Sequence, residues 1–385
     1  MAIPPEIQQL IPQVRQQYPQ LAHLPDEVVA QMILQVMQEQ RAGLLTSDEE
    51  LTNIHPGQLG AIGEQLRNAG RWQEAERYFL QAMENAEKVN DLQVQTMAAT
   101  GLASLCLKRG DFAQAMALYQ QALALAERLC DQRLMSAIYD QVGSTYAMQG
   151  GYPQAIEHYK KSLDNSKQIG DEHQLAIVYA NLGTVYLQQG DYDQAIQAYK
   201  KSLKYSVKLG MDQESAQVYG NLGIVYQEQG QYNLAIETYQ KSLGTALRVG
   251  YQQTAASAYK NIGNVHYKLG NYEQAIQMHQ KALEIDERIG NEPGAAQDYG
   301  NLANVYQEMG DVGQALVYYH KALKIFERIG DRHGAAIAYF NLGNLYREQG
   351  DVAQARVHLE KAKALFEMVG DARGAQRAVQ ALRGL

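Results

Sequence analysis

Written in rows of 40, the chain aligns with itself without an insertion from about residue 57 to residue 370. Gly70, Gly110, Gly150, Gly190, Gly230, Gly270, Gly310 and Gly350 share one column, and Ala75, Ala115, Ala155, Ala195, Ala235, Ala275, Ala315 and Ala355 share another. The period therefore runs through eight copies. A fixed period in the range of about 20 to 50 residues marks units too small to bury a core alone, which reach stability only by stacking on their neighbours as a solenoid.

Each unit reads as two helices. In the fourth copy, Ile177 or Val178, Leu182, Val185 and Tyr186 recur at helical spacing between about Gln174 and Gln189, and Gly190 stops the run where a left-handed backbone is tolerated. Asp191 starts the next helix, along which Ala195, Ile196, Tyr199, Ser202 and Leu203 recur at three and four before Gly210 closes it. Gly183 and Ala195 remove side-chain bulk where the two helices must cross. The 26 tyrosines, against 5 phenylalanines and 1 tryptophan, fit the same scheme. Twenty of them lie in four columns, represented by Tyr179, Tyr186, Tyr192 and Tyr199, and are expected to act as amphipathic wedges between helices.

The set Tyr179, Leu182, Gly183, Tyr186, Gly190, Ala195, Tyr199 resembles the tetratricopeptide repeat (TPR), with Ser202 at its small-residue position and Tyr179 where that family often has Trp. The resemblance implies an all-α fold, a right-handed α-solenoid superhelix of eight helix pairs. The usual repeat is 34 residues with a closing Pro; here the Pro is missing and each helix is extended. The 40-residue spacing is similar to that of Pins-type adaptors and, more loosely, kinesin light chains. Three segments are expected: a helical N-terminal cap over residues 1–50, eight repeats over 51–370, and a capping helix over 371–385. In the first, an amphipathic helix is expected from Asp26 to Arg41 and a linker from Leu44 to His55, with Pro56 opening the first repeat helix. In the last, Ala375, Ala378, Val379 and Leu382 share one face and Arg373, Gln376, Arg377 and Arg383 the other.

Composition narrows the function. Hydrophobic residues make up 46% and charged residues 20%, which suits a folded chain, and the net charge of -8 gives no general attraction to nucleic acid or anionic membrane. The longest apolar stretch, Val28 to Met37, is broken by Gln31 and Gln35, so no membrane insertion is expected. The first residues lack a basic segment followed by an apolar core, and Cys106 and Cys130 stand 24 positions apart without a paired spacing, so a reducing cytoplasm is expected. There is no phosphate-cradling loop, no His-Glu-X-X-His and no Gly-X-Ser-X-Gly, so the chain reads as no enzyme and without a cofactor. Of nine histidines, His266 and His279 form the best pair, but they replace packing tyrosines and lack a third ligand. Lys161, Lys201, Lys241, Lys281, Lys321 and Lys361 form a column read as solvated, and Arg128, Lys208, Arg248, Arg288 and Arg328 one read as complementing helix dipoles.

The first helices carry a more telling column. Gln141, Asn181, Asn221, Asn261, Asn301 and Asn341 place an amide in mid-helix in six successive copies, although Asn is a middling helix former. An amide both donates and accepts, as a ladder gripping an extended peptide main chain must. Asn264, Asn304 and Asn344 add a second amide, and both sets match the peptide-contacting asparagines that the family resemblance implies on its concave groove. The alternative is that these amides bond across to the neighbouring repeat and orient the stack. Around the ladder, Gly220 and Gly300 would let a ligand backbone come close, Lys260 adds a charge and Phe340 an exposed ring. Tyr267, Phe340 and Arg347 are the expected anchors, with Lys268 beside them.

The reading is a non-enzymatic interaction scaffold that binds an extended or helical segment of a partner protein in the groove. Two alternatives remain open: a peptide-sensing regulator whose repeats close on a short signal peptide, and a module that self-associates through residues 1–50 or through its groove.

Overall fold

Every repeat folds by the same local chemistry. The fourth first helix ends at Gln189, and Gly190 takes φ 76°, which lets Asp191 N–H donate to Tyr186 C=O at 2.9 Å and Gly190 N–H to Leu187 C=O at 3.0 Å. The Asp191 carboxylate then accepts from Gln194 N–H and caps the second helix. The computed structural model describes residues 11–12, 25–26, 28–30 and 51–385, and among these no residue is in a strand. The helix expected over 26–41 falls mostly outside the described residues; within it, 26 and 28–30 are helical. No helix among the described residues is long and apolar enough to cross a membrane.

The chain divides into two compact units, residues 1–171 and 172–385. The first holds α1 (Pro56–Asn68), α2 (Trp72–Lys88), α3 (Leu92–Arg109), α4 (Phe112–Arg128), α5 (Gln132–Met148) and α6 (Tyr152–Ile169). The second holds α7 (Glu172–Gln189), α8 (Tyr192–Lys208), α9 (Asp212–Glu228), α10 (Tyr232–Val249), α11 (Gln252–Lys268), α12 (Tyr272–Arg288), α13 (Glu292–Glu308), α14 (Val312–Ile329), α15 (Arg332–Glu348), α16 (Val352–Met368) and α17 (Ala372–Arg383). Within each, consecutive helices pack pairwise, so both units are α-solenoid stacks.

In the first unit, Phe79 is fully buried beneath Gly63 and Gly101, and burial of a ring of that size contributes about 1.5–3 kcal/mol. Residues 51–54, expected in a linker, are instead fastened to α2: Asn85 Nδ2 donates to the carbonyls of Leu51, Thr52 and Ile54 at 3.0–3.2 Å. Leu51 is fully buried, and Pro56 takes the first turn of α1. In the second unit, the rings of Tyr199 and Tyr239 pack on Gly183 and Gly223, and Ser202 Oγ and Ser242 Oγ donate to the carbonyls of Ala176 and Ala216 at 2.7 Å. At its end α17 buries Ala378 and Ala381 against a cluster that includes Phe340 and Phe366.

Two expectations about charge change. Most of the lysine column is held over the tyrosines of the same repeat's first helix, with Lys201 Nζ 5.4 Å from the Tyr179 ring centre, Lys281 5.5 Å from Tyr259, Lys321 5.2 Å from Tyr299 and Lys361 5.0 Å from Tyr339, whereas Lys241 pairs with Glu237 at 2.8 Å. Cation and ring, rather than solvation alone, set that column. The second basic column adds ion pairs to its dipole role, with Lys208 to Glu172 and Arg248 to Asp212 both at 2.6 Å.

A Cβ on Gly183 would lie 2.6 Å from the Tyr199 ring, whereas one on Gly300 would meet nothing within 4 Å. Gly183→Leu is therefore expected to lower stability by about 1–3 kcal/mol or more, and Gly300→Ala to raise it by up to about 1 kcal/mol through helix propensity, both read by denaturant midpoint. Burial pushes Tyr119, Tyr159 and Tyr199 up to about 12, so these rings stay protonated in the fold above the pH at which they ionise when unfolded. Their contribution is complete below about pH 10 and is lost as pH rises toward 12; phenolate absorbance is expected to appear together with loss of helical circular dichroism across that window.

Candidate functional site

The amide column occupies the middle of α7, α9, α11, α13 and α15, and Asn181, Asn221, Asn261, Asn301 and Asn341 are all half-buried. Beside them lie three hollows of the second unit, among others. The largest, about 650 Å³ between α9 and α11, is lined by Gln213, Gln217, Gly220, Asn221, Tyr251, Gln252, Ser257 and Asn261 among others, without one charged side chain. A smaller one of about 150 Å³ between α13 and α15 has Gly300, Asn301 and Asn341 at its rim and Tyr319 and Phe326 in its lining. It adjoins a third of about 240 Å³, lined by Tyr267, Asn304, Gln307, Glu308, Asn341, Asn344, Arg347 and Glu348. Four ladder amides, with Gly220 and Gly300, thus border hollows.

The second amide column has a different first duty. Tyr319 Oη donates to Asn304 Oδ1 at 2.6 Å, and at the same step of earlier repeats Thr184 Oγ1 lies 3.1 Å from Tyr199 Oη and Ser144 Oγ 3.0 Å from Tyr159 Oη. In these three repeats the position answers the buried tyrosine hydroxyl, whereas Tyr239, with Ile224 at that step, donates to Gln227 Oε1 at 3.4 Å and Tyr119 Oη has no partner. Asn264 and Asn344 face His279 and Leu359 at the tyrosine step, so that demand is absent there. Among the ladder amides, Asn221 lies beside the Tyr199 hydroxyl of the repeat before it and favours its ionised form, in line with the alternative reading.

Two expected groove residues are corrected. Phe340 is no exposed ring: it is buried, 6.5 Å from the Phe366 ring, with the Arg377 guanidinium of α17 4.8 Å above its face. Lys260 offers no free charge to a ligand. Its Nζ lies 3.4 Å from Asp286 Oδ2 and 3.7 Å from Asp298 Oδ2, and both carboxylates are almost fully buried. Tyr267 is half-buried against Tyr272, with ring centres 6.1 Å apart, and burial, then the nearby Glu308, raises its pKa. Lys268 and Arg347 are exposed. Gln307 Nε2 holds the Glu348 carboxylate at 3.1 Å.

The buried charges around Lys260 escaped the sequence reading, although a signal was present. Asp298 interrupts an apolar column, standing where Val178, Val218, Ala258 and Ala338 stand, and His279 interrupts the tyrosines beside it. His279 Nδ1 lies 3.8 Å from Asp298 Oδ1, and neither Asp298 oxygen has a hydrogen-bond partner. Among the described residues no group of three His, Cys, Asp or Glu could hold a metal ion, and Cys106 is buried and Cys130 exposed, both as free thiols.

A family model described as tetratricopeptide repeat matches residues 58–128, 134–206, 214–288 and 295–368, about three quarters of the chain. The chain is a tetratricopeptide repeat protein. It is similar in fold to three solved structures among others. A signal-transduction ATPase with numerous domains and a tetratricopeptide repeat sensor, from Pyrococcus horikoshii, is 19% identical over 96% of this chain and 54% of that one, with a TM-score of 0.65. The TPR protein thus spans about half the length of that ATPase. Aspartyl phosphate phosphatase F from Bacillus subtilis is 14% identical over 95% of both chains with a TM-score of 0.59. A Rap protein complexed with Competence and Sporulation Factor is 17% identical over 86% of this chain and 96% of that one, with a TM-score of 0.52. At such identities these likenesses show the fold alone. No curated protein matches the chain. The finer likeness to Pins-type adaptors and kinesin light chains rests on sequence pattern.

Desolvation raises the Asp298 pKa against the pull of His279 and Lys260, so the fold favours the protonated acid and loses that contribution as pH rises through the raised value. Asp298→Asn is expected to raise the thermal midpoint at pH 7, with the gain shrinking as the pH falls into the ordinary carboxylate range. A lower midpoint at pH 7 would instead mean that the ion pair with Lys260 outweighs desolvation.

Proposed function

We propose that the chain is a non-enzymatic adaptor that binds an extended or helical peptide segment of a partner protein along the first-helix face of its second unit, the wall read as the concave groove. Asn221, Asn261, Asn301 and Asn341 would hold the main chain of that segment, and Asn181 would extend the row. Tyr267, Lys268, Asn264, Asn304, Asn344 and Arg347 would meet its side chains.

Gly300 carries this reading. A glycine inside a helix costs about 1 kcal/mol relative to alanine, and at Gly300 no packing contact requires it, because a Cβ there would meet only open space. Gly220 is nearly as open, its nearest contact being Ser242 Oγ at 3.7 Å. Both glycines directly precede ladder amides and border hollows, which suits the close approach of a ligand backbone. Elsewhere on the first helices, Gly183 and Gly223 are needed for core rings.

The regulator alternative draws support from the Rap protein solved with Competence and Sporulation Factor, which matches most of this chain in fold. Scattering distinguishes the two, since a sensor compacts on taking up its peptide and an adaptor does so much less. Self-association through residues 1–50 or through the groove is a third reading, tested by sedimentation.

The groove reading is tested by panning the full chain against a displayed library of random peptides and measuring the affinity of the selected sequences by calorimetry. Asn301→Ala with Asn341→Ala is expected to weaken binding by about 1 kcal/mol or more per lost hydrogen bond while the thermal midpoint holds. Unchanged affinity would remove the ladder from the binding role.

A further inference from the structure

Two successive repeats of the second unit give up both charge and helix capping at one edge. At Asp91, Asp131, Asn291, Asp331 and Asp371, the side chain before a first helix accepts from a backbone N–H of its first turn. At the starts of α9 and α11 the residue is Met211 and Tyr251, and neither helix has a side-chain cap. Four residues earlier in each case, the column that reads Glu87, Glu127, Lys167, Glu287, Glu327 and Glu367 elsewhere carries Val207 and Leu247. Those two side chains are 56% and 53% exposed, and Leu209, Val249 and Tyr251 beside them are each more than a third exposed.

Nothing in folding rewards this arrangement. Each missing cap forgoes about 1 kcal/mol, and the apolar groups stay in water. Contiguous exposed apolar surface of this kind marks an interaction site more often than a structural need. The positions share one edge because Arg248, between Leu247 and Val249, pairs with Asp212, next to Met211, at 2.6 Å. The local charges cancel, with Arg248 on Asp212 and Lys208 on Glu172, so the edge has no electrostatic preference for an anionic lipid surface or a nucleic acid. Tyr251 also lines the charge-free hollow between α9 and α11, so hollow and edge form one continuous surface.

We propose that this edge extends the α9–α11 hollow into a docking site for an uncharged peptide segment, in which amide- or hydroxyl-bearing residues face Gln213, Gln217, Gln252 and Asn261 and bulky apolar residues next to them cover Val207, Leu247 and Tyr251. This inference rests on the groove reading and adds the chemistry of its ligand. The continuity with the hollow selects the occupant: a narrow strand of peptide follows from one surface to the other, and the lining offers it amides and apolar groups but no ionic partner.

The test uses substitutions that other repeats already carry. The full chain is panned against displayed random dodecapeptides, and the selected peptides are titrated into wild type, into Val207→Glu/Leu247→Glu/Tyr251→Asp, and into Asn221→Ala/Asn261→Ala. Selected sequences are expected to pair uncharged polar residues with neighbouring bulky apolar ones. The edge variant is expected to keep or raise its thermal midpoint, because Asp at 251 restores a cap, and to lose at least tenfold in affinity; the amide variant loses affinity as well. If only the amide variant weakens binding, the edge proposal is overturned and the groove reading stands. If the edge variant leaves peptide affinity intact but converts a dimer to a monomer in sedimentation, the edge serves a second copy and the proposal fails. Selected peptides dominated by charged residues would also overturn it, and the absence of any selected peptide would remove the groove reading and the edge proposal together.

Discussion

A ring from the second helix of a repeat pressed against a glycine of the first is the contact on which the rest of each unit depends. Tyr199 beneath Gly183 and Tyr239 beneath Gly223 bring the helix axes close, and the same geometry places Phe79 against Gly63 and Gly101. Once the axes are close, Ser202 and Ser242 reach the first-helix carbonyls and the Lys201 and Lys281 side chains lie over first-helix rings. The first helix is thereby fixed in rotation. One side is committed to the core, and the half-buried amide column lies along the margin of that side, three residues after Val178 and four before Val185 in the fourth repeat.

Two demands compete for polar groups on that face. Buried tyrosine hydroxyls favour a partner, and Ser144, Thr184 and Asn304 are recruited for this one turn along from the ladder, while Tyr119 Oη goes without one. Where the tyrosine is replaced by His279 or Leu359, the amide at the answering position is released from that task. Among the ladder amides, Asn221 lies beside the core ring of Tyr199. The hollows between α9 and α11 and between α13 and α15 therefore present polar groups that the fold uses only in part.

The helices, their caps and the repeating core were legible because eight copies average out local exceptions: a column of glycines or alanines states a packing rule that a single helix could not. The site was legible only where a residue follows its column. Phe340 read as an exposed anchor because its cover comes from other helices, Phe366 from α16 of the same repeat and Arg377 from α17 beyond the last one. Lys260 read as a groove charge because its partners, Asp286 and Asp298, sit on two other helices and break columns of small or apolar residues. Breaks in a column carry as much information as the column, and Met211, Tyr251, Val207 and Leu247 are breaks of this kind on the surface.

The central claim is that carboxamides of the first helices in the second unit grip a peptide main chain. Selective 15N labelling of asparagine and observation of the side-chain NH2 resonances during titration with a selected peptide tests it most directly. The account predicts that the resonances of Asn221, Asn261, Asn301 and Asn341 move with occupancy while that of Asn165, which donates to the Lys161 carbonyl on the exposed side of α6, stays in place. A peptide that binds with the four ladder resonances unmoved would contradict it.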